Sequence, residues 1–130
     1  MVERINVIVE WTDKNFGAAS AQVNGCVAVG DSIEEVKQLY AEALEMHFAG
    51  LKEDGDAVPA QYELLYILTA QALLKSLNGK TTLKALHRAT EINENLLSHY
   101  LTGRKKARET QRQKIVEGLH KIGKELISII

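Results

Sequence analysis

Asn93, Glu94, Asn95, Ser98 and His99 stand within seven positions of one another, and Gly103 behind them is followed by Arg104, Lys105, Lys106 and Arg108. Amide, carboxylate, hydroxyl and imidazole groups can each donate to or accept from base edges in a DNA major groove, where a good contact discriminates by about 1–3 kcal/mol. The basic run can neutralise phosphates, which supplies salt-dependent affinity largely blind to sequence. The first set is therefore the candidate base readout. Arg104, Lys105, Lys106 and Arg108, with the Thr82 hydroxyl, form the candidate phosphate grip.

Other residues offer less. Glu10, Asp13 and Asp31 could be arranged on neighbouring strand ends as carboxylate ligands of a nuclease metal. Turn and cap roles explain Asp13 and Asp31 more simply, so no catalytic residue is assigned. His87 and His120 lack a metal-ligand spacing, and His47 falls on an apolar helix stripe as a packing residue. Cys26 is the single cysteine, which excludes an internal disulfide and any multi-cysteine metal site. It is expected to be a buried structural thiol. Neither a metal nor a cofactor is expected.

These groups need elements to hold them. Ile5 to Thr12 is β-branched and aromatic, Asp13 to Asn15 reads as a turn into a strand from Phe16 to Val23, and Asn24 with Gly25 as a second turn before a strand over Cys26 to Val29. Trp11 and Phe16 flank the first turn as core residues. Ser32 with Glu35 three positions on forms a capping box. Ile33, Val36, Leu39, Tyr40, Ala43, Leu44, His47, Phe48 and Leu51 then trace one helical apolar stripe. Gln61 to Leu68 returns as a fourth strand.

Beyond Leu68 the periodicity turns helical. Helices are expected over Ala70 to Leu77, Thr82 to Thr90, Asn93 to Thr102 and Thr110 to Ile129. Leu83, Leu86 and Ile92 can pack on Leu97, Tyr100 and Leu101 across the turn at Glu91 to Asn93. That crossing turns the outer face of the third of these helices towards solvent. In the last helix Leu119, Ile122, Leu126 and Ile129 step by three and four, a stripe expected to join a second copy in a homodimer or higher even oligomer. The fold class is thus α+β, with a βββαβ domain over 1–68 and an all-α bundle over 69–130.

The charge follows the same divide. The chain has 130 residues and a net charge of −1, but up to Leu68 there are twelve acidic residues against four basic, and from Thr69 five against twelve. A near-neutral total conceals about −8 beside +7, a distribution that draws one half to a polyanion and leaves the other for a cationic partner. The opening MVERINVIVEW has no signal-peptide pattern and no stretch reaches membrane-spanning length, so a cytoplasmic location is expected, without a membrane partner.

Two family resemblances rest on particular residues. The leucines before the turn, Ile92 with Asn93, then Leu97, Ser98, Tyr100 and Gly103, are similar to the signature of lambda-repressor-like (Xre/Cro) helix-turn-helix domains. The chain departs from it at His87, where a small residue is usual at the helix crossing, and at Glu91, where glycine is usual in the turn. Glu91 must then accept a strained or modified turn. In the first half Gly17, the segment GCVAVGDSIEEV from Gly25 to Val36, EALEMHFAGL from Glu42 to Leu51 and the closing EDGDAVP resemble HicB-type antitoxins.

The second resemblance implies a partial ribonuclease-H-like fold without catalysis. It also implies binding to a small basic HicA-type ribonuclease toxin and to the operon's own operator as double-stranded DNA. The function expected is that of an antitoxin and autorepressor; the alternative is an orphan DNA-binding regulator whose first domain serves oligomerisation or sensing.

Overall fold

The computed structural model describes residues 2–130 and is mixed α+β, with one four-stranded sheet and five helices among the described residues. It separates into two compact units, the first running to Thr69 and the second spanning Ala70–Ile130. No helix of the described residues is long and apolar enough to cross a membrane.

In the first unit, β1 (Glu3–Trp11), β2 (Phe16–Ser20), β3 (Val23–Gly30) and β4 (Tyr62–Leu68) form a sheet ordered β3-β2-β1-β4. β1 pairs antiparallel with β2 and parallel with β4, and β2 pairs antiparallel with β3. Helix α1 (Ile33–Glu53) makes the crossover from β3 to β4. Strand alternation sends Ile5, Val7, Val9, Phe16, Ala18 and Cys26 inward, where they are buried with Val36, Tyr40 and Leu44 of α1. Ser32 caps α1 by accepting from the Glu35 amide at 3.0 Å, while the Glu35 carboxylate accepts from the amide of Asp31 rather than that of Ser32. Trp11 meets Phe16 edge-on at 5.1 Å, and Phe48 meets Tyr62 at 5.2 Å. His47 is half-buried beside Phe48.

The second hairpin differs from the sequence expectation. The chain reverses at Ala21 and Gln22, and Asn24 and Gly25 lie inside β3. There the register jumps from Ala19 opposite Val27 to Ser20 opposite Val23. Gly25 takes φ +82°. An Asn-Gly pair signals a positive φ, and a bulge uses that conformation as readily as a hairpin turn does. Gln22 repairs the ladder that the short β2 leaves open: its Oε1 accepts from the Asn6 amide at 2.8 Å and its Nε2 donates to the Arg4 carbonyl at 3.0 Å. One side chain thus takes the place of a strand residue.

Tyr40 lies wholly inside this core, and its hydroxyl has no well-aligned hydrogen-bond partner. Burial, and then the neighbouring Cys26 thiol, push its phenol up to about 12. A folded-state value above the unfolded one means that Tyr40 contributes its full stability below pH ~10 and loses it as pH rises towards 12. Alkaline melts should show that loss, and Tyr40→Phe should flatten it. Identical slopes for the two proteins between pH 10 and 12 would contradict this assignment.

The second unit contains α2 (Ala70–Ser76), α3 (Leu83–Thr90), α4 (Glu94–Thr102) and α5 (Glu109–Ile127). Their shared core is Ala70, Leu74, Leu86, Ile92, Leu97, Tyr100 and Ile115. α3 packs against both α4 and α5, and α2 packs against α4.

Candidate nucleic-acid interface

The site begins with two short helices joined by three residues. Thr82 caps α3 by accepting from the Ala85 amide at 3.1 Å, satisfying one of the free amides of the first turn. The helix ends at Glu91, which takes the left-handed conformation at φ 64° and donates its amide to the His87 carbonyl at 2.7 Å. Glu91 thus accepts the strained conformation for which glycine is the usual choice. Releasing that strain in Glu91→Gly should stabilise the second unit by about 0.5–1 kcal/mol, measured by chemical denaturation.

His87 has an unforeseen role. It is exposed rather than pressed into the helix crossing, and its Nδ1 donates to the Ile92 carbonyl at 2.8 Å. The carbonyl can only accept, so this contact sets the proton on Nδ1. On the other side of the turn the Thr90 hydroxyl donates to the Leu86 carbonyl at 2.6 Å and accepts from the Ile92 amide at 3.1 Å. Both backbone polar groups of Ile92 are therefore satisfied by α3 while its side chain is buried in the core. This bracket holds the angle at which α4 leaves the turn.

α4 starts with Asn93 as its cap, whose Oδ1 accepts from the Asn95 amide at 2.7 Å. That oxygen is committed to the helix, leaving the side-chain NH2 as Asn93's polar group for a ligand. Leu97 and Tyr100 point inward and are buried, whereas Glu94 and Asn95 are exposed and Ser98 and His99 half-exposed. Asn95, Ser98, His99, Thr102, Gly103 and Arg104 line one open groove of about 540 Å³. Within that groove, Asn95, Ser98 and His99 of the expected readout set come together. Thr102, outside the expected set, joins them. Its spacing of seven from Asn95 and four from Ser98 was the available signal. The Thr102 hydroxyl donates to the Ser98 carbonyl at 3.1 Å.

The basic loop is tied to the same helix. Gly103 takes φ +82° and bonds the Tyr100 carbonyl through its amide, and the Lys105 amide donates to the His99 carbonyl at 3.2 Å. These bonds close the end of α4 and turn the chain outward, so that Arg104, Lys105 and Lys106 are exposed where the groove ends. Half-buried Ala107 packs against the core and anchors the loop's far side. Arg108 is exposed at the start of α5 and provides no side-chain cap there. Thr82 lies at the start of α3 with its hydroxyl oxygen in the cap and its proton still free to donate.

The expected association stripe divides in two. Leu119 and Ile122 pack against the core of the second unit, whereas Leu126 is exposed, as are Ile127, Ile129 and Ile130; α5 ends at Ile127, so Ile129 follows the helix instead of belonging to it as expected. Among the described residues no three His, Cys, Asp or Glu side chains come together as a metal-ion site, so Glu10, Asp13 and Asp31 are not assembled as ligands. Asp13 occupies a turn at φ 77°. No protein-family model matches the chain, and no curated protein matches it.

Proposed function

We propose that this chain is the antitoxin of a type II toxin-antitoxin pair, which neutralises a small basic HicA-type ribonuclease and represses its own operon. On this reading the first unit is a partial ribonuclease-H-like, HicB-type domain with no catalytic role. The second is an Xre/Cro-like helix-turn-helix domain, with α3 as the supporting helix and α4 as the recognition helix. The observation that carries the DNA half is the groove of Asn95, Ser98, His99 and Thr102 running directly into Arg104, Lys105 and Lys106. Hydrogen-bonding side chains on a helix face, with cations at its end, are the arrangement that combines base readout with phosphate binding.

The exposed end of α5 with Leu126, and Ile129 just beyond it, is the proposed contact with a second copy. Such pairing would present two recognition helices about one DNA turn apart to a palindromic operator. The acid excess of the first unit supports a basic protein partner.

The DNA half is tested by titrating the protein with a duplex from upstream of its gene and with a shuffled duplex of equal length. Asn95→Ala or Ser98→Ala should weaken specific binding by about 5- to 150-fold, the range of one lost base contact. Binding to the shuffled duplex should hardly change. Equal losses on both duplexes would reject α4 as the reader of bases.

A further inference from the structure

We infer that the sheet face turned away from α1 is the surface on which the basic partner docks. This rests on the antitoxin reading above and extends it to a site. A sheet with one face on a core ordinarily alternates apolar inward with polar outward. This sheet does not: Val27 is 69% exposed, Val29 55%, Leu65 44% and Ile8 37%, and all four lie on the outer face. Ile8, Glu10, Gly17, Ala19, Val27 and Val29 line a shallow groove of about 240 Å³ there. Contiguous apolar surface rimmed by polar groups marks an interaction site.

Charge selects the occupant. Arg4 on the same face is already paired with Glu63 at 2.9 Å, so the groove's remaining charge is that of exposed Glu10. The surrounding unit carries eight more acidic than basic residues. A second copy of this chain laid face to face would set acid against acid. A small basic protein with an apolar patch edged by lysine or arginine matches both the groove and its charge. Glycine and alanine at positions 17 and 19 keep the middle of the face low enough for a side chain from that partner to enter.

The test expresses the full chain from its own operon, with any small basic protein encoded beside its gene as the partner. Val27→Lys with Val29→Lys should raise the Kd for that protein by at least about 100-fold, as loss of an interface centre does. Both positions are exposed, so the melting temperature should stay within about 3 °C and operator binding should be retained. A control, Glu42→Lys with Glu45→Lys on the exposed side of α1, should change the Kd by less than about tenfold.

If the wild type holds the basic protein and the sheet variant holds it equally well, the docking face is refuted while the antitoxin reading stands. Loss in the α1 control but not in the sheet variant refutes it in the same way. If the wild type is instead a dimer that the sheet substitutions dissociate, a second copy covers this face and the inference fails. A wild type that binds no basic protein from its own operon overturns both this inference and the reading beneath it.

Discussion

Replacing Arg104, Lys105 and Lys106 by glutamate is expected to lower affinity for double-stranded DNA on the order of 10²–10³-fold at 0.1 M salt, and to do so on any sequence. Each phosphate contact contributes a slope of about 0.9 to the dependence of log K on log salt, so three lost contacts make that dependence shallower by about 3. Like-charge repulsion adds to the loss. All three side chains are exposed, and the loop's path depends on backbone bonds from Gly103 and Lys105 and on Ala107, which the substitutions leave in place. The fold should therefore survive. A salt titration of wild type and variant checks this, and an unchanged slope would remove the loop from the interface.

Gly118→Val should destabilise the second unit by about 3 kcal/mol and take DNA binding with it. Gly118 is buried on α5 where α3 crosses it, and a Cβ built there would lie 2.4 Å from Thr90 Cγ2 and 3.5 Å from Ala89 Cβ. Thr90 has little freedom to give way. Its hydroxyl is fixed by the Leu86 carbonyl and the Ile92 amide, so rotating the side chain would break the bracket at the turn. Valine therefore separates α3 from α5 or releases Ile92, and either change alters how α4 is presented. Gly118→Ala combines the same contact with a gain in helix propensity of about 1 kcal/mol and should fall between wild type and valine. Thermal melts of the three proteins should rank in that order, with valine lowest. Wild-type stability in the valine variant would show that the crossing can open freely.

The helices were largely legible because their signals are local. Ser32 with Glu35 announces the start of α1 and Gly103 the end of α4, and the structure caps the helices there; Thr82 and Asn93, expected as DNA contacts, are also the N-caps of α3 and α4. The bulge at Asn24 and Gly25 was not legible, since the pair announces a backbone conformation and not the element that uses it. Gln22 was invisible for a different reason: it completes the ladder of β1, sixteen positions away from Asn6. The Thr90 and His87 bonds to Ile92 were not legible either, because a threonine and a histidine in a helix carry no mark of the turn they hold. On α5, the three-and-four stepping found the apolar stripe but could not tell what covers it. Leu119 and Ile122 meet the unit's own core, and Leu126 and Ile129 do not. The apolar outer face of the sheet was not legible, because valine and isoleucine favour strands whether covered or exposed.

The antitoxin role is tested most directly by tagging this protein, expressing it from its own operon and purifying it through high salt. The account predicts one small basic protein retained at fixed stoichiometry, whose ribonuclease activity reappears when the complex is separated under denaturing conditions and refolded. A preparation that contains no such companion, yet still binds its upstream DNA, would contradict the antitoxin role and leave a DNA-binding regulator acting alone.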